Sequence, residues 1–237
     1  MSVLVFLEFN NNELKETSKQ ALTYANVINE NVYAISESKI SNDIVESLGK
    51  FGVSIFLINS VDFKKNNIIK CIIPTIEELK INCIIFPKTN SFSYLSSILS
   101  IKLNFPLINN VNSLVRFENR ICLKSTIFSG KAEADIEIDS NSCILVLNKN
   151  IINSISYKKS VVIKNLINKS DNSLSNNTVS LKKEKLEGDI LLNDADIVVS
   201  AGRGLKGPEN WKMIEKLAKI LNAGTACSKP VSDAGWR

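Results

Sequence analysis

The chain has 237 residues, 44% hydrophobic and 22% charged, with a formal net charge of +5, the composition of an ordinary globular protein able to bury one large core or two small ones. No apolar run reaches the roughly 18 residues that a membrane span needs, and Met1–Glu8 lacks the basic region and apolar length of a secretion signal, so a cytoplasmic (or equivalent matrix) protein with no membrane insertion is expected. There is no histidine, and Cys71, Cys83, Cys122, Cys143 and Cys227 form no C-x-x-C pair, which excludes Ser-His-Asp and Cys-His catalysis and argues against structural zinc or a disulfide framework.

In chain order, Val3–Phe9 predicts a buried strand. Glu13–Ile28 predicts a helix, with Leu14, Ala21, Tyr24, Ala25 and Ile28 at helical spacing. Asn31–Ile35 reads as a strand, Asp43–Lys50 as a short helix before Gly52, and Ser54–Ile58 as a third strand. Ile68–Leu79 reads as a helix interrupted by Pro74, Cys83–Phe86 as a fully apolar strand, and Ser91–Leu103 as a helix. Strands alternating with helices, several of them continuously apolar, predict an α/β fold with a mostly parallel sheet covered on both faces. After Pro106 the pattern changes. Leu114–Phe117, Ile121–Phe128, Ala132–Ile138 and Cys143–Leu147 are strand-like, separated by turn residues, and read as an antiparallel extension of the same domain. Along Lys131–Ile138 the carboxylates of Glu133, Asp135 and Glu137 fall on one face. With no converging base or metal ligand, that face reads as solvated.

Asn168–Asn177 has linker composition, and Leu181–Glu187 is charged and reads as a short strand or an arm into the second unit. The expected organisation is a first domain over 1–167, a linker and arm over 168–187, and the start of a doubly wound domain over 188–237. In that last part a strand over 196–200, a glycine loop, a helix over 209–221 and a strand over Ala223–Cys227 follow one another. Lysines cluster at Lys158–Lys159 and Lys182–Lys185 without interleaved aromatics, so solvated faces and a linker explain them and no nucleic-acid partner is expected.

The stretch Ala195–Trp211 carries the most chemistry. An apolar β-branched run enters Gly202-Arg203-Gly204-Leu205-Lys206-Gly207-Pro208, and a helical pattern follows. Five of the nine glycines lie between Gly202 and Gly235, so at this end of the chain backbone amides can approach a ligand closely and favour a phosphate. Only Arg116, Arg120, Arg203 and Arg237 are arginines among 29 basic residues. One of them set inside the loop suggests a need for the planar, permanently charged fork. Gly202, Gly204 and Gly207 satisfy the dinucleotide spacing, but the acid that should follow the next strand is replaced by Cys227-Ser228-Lys229. Spacing alone leaves open a phosphate-bearing cofactor, an NADP site using Lys229, a standard NAD site, or a ligand-free turn.

The string Val198–Trp211 and the segment Ala226–Arg237 closely resemble the start of the FAD domain of electron transfer flavoprotein alpha subunits, in that family's order and spacing. The first 160 or so residues resemble the family's first domain in pattern, with Ile127–Ala132 among the antiparallel strands. The resemblance implies an electron carrier without a substrate of its own, and so no enzyme. It implies FAD held largely by this second domain, a heterodimer with a beta subunit, and electrons passed from acyl-CoA and related dehydrogenases, as in fatty acid oxidation, to a membrane quinone oxidoreductase or similar acceptor. It also implies that Arg203 and Ser228 contact FAD and that Lys229 stands where many members have an arginine near the reactive edge of the flavin, with Gly202 and Gly204 forming the loop. Lysine keeps the charge there but loses the fork. The family's domain continues through a Gln-Thr-Gly and a Ser-Gly-x-x-Gln-His motif that this sequence does not contain. A C-terminally truncated alpha subunit that retains FAD poorly by itself is therefore expected. A nucleotide-binding or subunit-interaction module without redox work remains as the alternative.

Overall fold

In a computed structural model, residues 2–10, 12–29, 31–36, 40–58, 65–117, 120–166, 192, 195 and 197–236 are described. The chain divides into two units, Met1–Asn176 and Asn177–Arg237. The expected linker and arm over 168–187 lies outside the described residues.

The first unit opens with β1 (Val3–Leu7), every residue of which is buried. A small antiparallel hairpin follows, β2 (Phe9–Asn10) and β3 (Glu13–Leu14), so helix α1 (Glu16–Ile28) begins later than its apolar pattern suggests. Then come β4 (Val32–Ser36), α2 (Asn42–Ser47) with a 3-10 turn over Leu48–Phe51, and β5 (Ile55–Ile58). Gly52 ends that turn at φ 89°, a left-handed conformation suited to glycine. Helix α3 (Lys65–Glu78) runs through Pro74 where an interruption was expected. Proline removes one backbone donor from the ladder. Next to it the Thr75 hydroxyl donates to the Cys71 carbonyl at 2.9 Å, and Ile72 and Ile76 stay buried on either side. Tertiary packing outweighs the local penalty.

The remaining elements are β6 (Cys83–Pro87), α4 (Asn90–Leu103), β7 (Leu107–Val111), β8 (Arg116–Phe117), β9 (Ile121–Ile127), β10 (Ala132–Ile138), β11 (Cys143–Leu147) and β12 (Val162–Asn165). They join one ten-stranded sheet in the order β10-β9-β7-β11-β6-β1-β4-β5-β12, with β8 on β9. The run from β7 to β12 is parallel throughout, and β9 is antiparallel to its neighbours. This is the expected fold class, with one correction. Cys143–Leu147 does not extend the antiparallel edge. It inserts between β6 and β7 as a central parallel strand, with Cys143 opposite Cys83 and Ile144 opposite Leu107. Its unbroken apolar run is buried on both faces, as such a position demands. β7 and the exposed edge strand β12 were not foreseen.

The pleat divides the core. Val3, Val5 and Leu7 point to the face covered by α1, with Leu22, Ala25, Val45 and Leu145. Leu4 and Phe6 point to the other, covered by α3 and α4, with Ile72, Ile76, Phe86 and Phe92. Phe6 stacks on Phe86 at 4.3 Å between centroids, and Phe92 meets Phe6 edge-on at 5.8 Å, geometry that adds to area burial. On the first face the Tyr24 hydroxyl donates to the Ser113 carbonyl at 2.8 Å and accepts from the Val115 amide at 2.9 Å. Helix α1 is thereby tied to the chain entering β8. The stretch 157–159 crosses the 3-10 turn, with Tyr157 N–H on the Lys50 carbonyl at 2.8 Å and Lys159 N–H on the Gly49 carbonyl at 3.3 Å. A Cβ on Gly49 would overlap the Lys159 carbonyl.

In the second unit, β13 (Val198–Ala201) and β14 (Gly224–Cys227) pair in parallel, joined through helix α5 (Trp211–Ile220), and helix α6 (Lys229–Asp233) follows. Trp211 and Ala218 are buried, whereas Met213 and Ile220 are 62% and 81% exposed.

Candidate functional site

The parallel register Ala201↔Cys227 brings the carboxyl ends of β13 and β14 side by side. The Ser228 amide donates to the Ala201 carbonyl at 3.0 Å. Two of the expected site segments, Gly202–Gly204 and Ser228–Lys229, therefore leave adjacent strands at one edge, the position at which open α/β sheets take ligands. A Cβ on Gly202 would lie 3.5 Å from the Ser228 Oγ, which places the two positions in contact.

The loop differs from the pattern its spacing suggests. α5 starts at Trp211, because Arg203–Leu205 and Pro208–Asn210 form two successive 3-10 turns. Gly202 and Gly207 are extended, at φ −127° and −176°. The left-handed residue is Lys206, at φ 65°. Glycine here supplies space. A Cβ on Gly207 would run into the Glu209 carboxylate, and one on Gly204 would have nothing within 4 Å. The space at Gly204 is thus open, and this loop, the glycine cradle, leaves room for the backbone approach of a phosphate.

Arg203, Gly204, Ser228 and Lys229 are all exposed, and Gly202 is half-buried. Ser228 sits at the N-cap of α6 and Lys229 in its first turn, with no side-chain cap bond from Ser228. The Ser228 carbonyl accepts from the Val231 and Ser232 amides at 2.9 and 3.2 Å, which fixes the turn. One residue that the sequence reading did not single out closes the loop. The Asn210 side-chain amide donates to the Leu205 carbonyl at 2.8 Å. Its only sequence signal was an asparagine at a helix start.

Elsewhere the carboxylates of β10 behave as a solvated face. Glu133 accepts from the Asn112 side-chain amide at 2.6 Å, Asp135 lies 3.6 Å from Lys124, and Glu137 lies 3.3 Å from Arg120, all exposed. Among the described residues no group of three or more Cys, Asp or Glu side chains could hold a metal ion, and no helix is long and apolar enough to cross a membrane. None of the five cysteines forms a disulfide, and Cys83 and Cys143 are fully buried with their sulfurs 3.9 Å apart. The hydrogen bond it shares with Cys143 and burial push the Cys83 thiol well above the usual range.

The electron transfer flavoprotein domain model matches residues 3–170, and the electron transfer flavoprotein FAD-binding domain model matches residues 191–237. The chain is 23% identical over 243 residues to electron transfer flavoprotein subunit alpha of Syntrophomonas wolfei, covering 98% of this chain and 74% of that protein. It is 23% identical over 206 residues to the putative electron transfer flavoprotein subunit YdiR of Escherichia coli, covering 85% and 65%. A shorter stretch of 42 residues is 48% identical to protein FixB of Azotobacter vinelandii, covering 18% and 12%. The first of the two domain models spans the whole ten-stranded sheet and the second the glycine loop, and on that basis the chain belongs to the electron transfer flavoprotein family, as a protein of the alpha-subunit type.

Proposed function

We propose that this chain is the alpha subunit of a heterodimeric, cytoplasmic electron carrier. It takes electrons from acyl-CoA and related dehydrogenases, as in fatty acid oxidation, and passes them to a membrane quinone oxidoreductase or similar respiratory acceptor. It works with a beta subunit and without a substrate of its own. The observation that carries the reading is the contact of Gly202 with Ser228 at the ends of two parallel strands, with open space at Gly204 beside them.

FAD supplies the electron chemistry when bound. The residues that would hold it are Gly202, Arg203, Gly204, Ser228 and Lys229. The open backbone at Gly204 would admit a phosphate without steric opposition, with Gly202 held against Ser228, and Arg203 offers a fork for its oxygens. Lys229, in the first turn of α6, brings a cation that favours added negative charge on the flavin. In this organisation residues 1–167 form the platform for the beta subunit, 168–187 a linker and arm, and 188–237 the cofactor part.

A cradle resting on two strands offers only part of a cofactor's contacts. Association costs on the order of 4–15 kcal/mol before net affinity appears, so retention of FAD is expected to need more protein than the cradle. That same feature favours a second reading, a nucleotide-binding or interaction module without redox work. The visible spectrum after gel filtration of the chain co-expressed with its beta subunit decides. A flavin band that bleaches on mixing with a reduced acyl-CoA dehydrogenase supports the carrier, and a colourless complex supports the module.

A further inference from the structure

We propose that Asn210 is a positioning residue of the cofactor loop: its side-chain amide clamps the Leu205 carbonyl and keeps the arch from Gly202 to Gly207 open. The inference rests on the FAD reading above and adds a residue to that site.

The loop has an unfavourable point. Lys206 stands in the left-handed region, φ 65° and ψ −15°, which an L residue with a long side chain rarely adopts. Something has to hold the chain there. Residue 210 reaches back across this point twice. Its side-chain Nδ2 donates to the Leu205 carbonyl at 2.8 Å, just before the left-handed residue. Its backbone amide donates to the Gly207 carbonyl at 3.3 Å, just after it.

Asparagine at a helix start normally accepts a bond from amides one turn into the helix. Asn210 does not. It has near-helical angles, φ −80° and ψ −5°, and makes no side-chain cap bond. Its amide is committed to the loop. The next residue, Trp211, is 4% exposed, so the backbone that carries Asn210 is anchored by α5. The path runs from a buried tryptophan, through one side-chain amide, to the turn that presents Gly202–Gly204. A loop held in its binding shape loses less freedom when a ligand arrives.

The variants are Asn210→Ala, the near-isosteric Asn210→Asp, Lys206→Gly and the double variant Asn210→Ala/Lys206→Gly. Two measurements are made on each. The first is amide hydrogen exchange of the full chain without cofactor, comparing Leu205–Gly207 with the amides of α5 and β14 as a control for folding of the second unit. The second is FAD affinity, by quenching of flavin fluorescence, on the chain purified with its beta subunit. Asn210→Ala and Asn210→Asp are expected to speed exchange at Leu205–Gly207 alone and to weaken FAD binding about tenfold, which is about 1.4 kcal/mol. In the double variant, glycine takes the left-handed angle freely, and most of the lost affinity should return.

Unchanged exchange in both Asn210 variants overturns the proposal, whatever happens to FAD. Weakened FAD binding that Lys206→Gly fails to restore also overturns it, since the role would then not be conformational. A wild-type complex that binds no FAD sinks the cofactor reading. In that case faster exchange in the Asn210 variants still establishes the clamp.

Discussion

Arg203 lies exposed beside the open Gly204, and Lys229 is exposed across the strand pair. Substituting Arg203→Lys keeps the charge and removes the fork. FAD retention by the assembled protein should fall several-fold, whereas Lys102→Arg on α4 should change nothing. Equal flavin content in both would make Arg203 an ordinary surface charge. At Tyr24 the prediction concerns stability. Tyr24→Phe leaves the buried Val115 amide without its acceptor and should cost about 1–3 kcal/mol in urea unfolding. Burial also raises the Tyr24 phenol above its ordinary value. A group raised in the folded state contributes stability that is intact below the unfolded value, about 10 for tyrosine, and is lost as pH rises toward the folded one. The raised Cys83 thiol acts in the same direction from about pH 8.5. Stability should therefore fall through this alkaline range, less steeply in Tyr24→Phe. A flat profile from about pH 8 to 11 would contradict both assignments. Arg203 stands out in the sequence because arginine is scarce there. The left-handed turn at Lys206 does not, because lysine gives no signal for positive φ, and the clamp of Asn210 depends on that turn.

Among the elements, the 3-10 turn over Leu48–Phe51 depends on a close crossing. Gly49→Ala forces a methyl into the Lys159 carbonyl. It should destabilise the first unit by about 1–3 kcal/mol, as overpacking does, and should expose the Tyr157 and Lys159 amides to exchange. Normal protection there would show that the crossing gives way easily. The alternating α/β pattern up to β6, apart from the β2–β3 hairpin, was readable because the sheet strands are largely apolar and the helices carry apolar faces. β11 was read with its sequence neighbours β9 and β10, since a short apolar run does not reveal its partners. Only the distant registers Cys143↔Cys83 and Ile144↔Leu107 reveal that it is central. β12 escaped because three of its four residues are exposed.

For the molecule as a whole, the first unit has a large two-faced core and, among the described residues, no metal cluster. It is expected to serve as a platform. Co-expressed with its beta subunit, the chain should elute from gel filtration as one complex at micromolar concentration and carry the flavin. Purified alone it should be colourless. Separate elution would remove the platform role, and a stoichiometric yellow protein from the lone chain would mean that two strands suffice for FAD.

The central position of β11 also sets a clock on synthesis. Its partner Cys83 on β6 lies 60 residues earlier, and β7, on its other side, is also made before it. At the ribosome's pace of about 5–20 residues per second, the inner edge of β6 waits about 3–12 s for the strand that will cover it. Throughout that interval the nascent chain holds an apolar, unpaired edge in what will become the middle of its sheet, and protection from neighbouring chains matters most then.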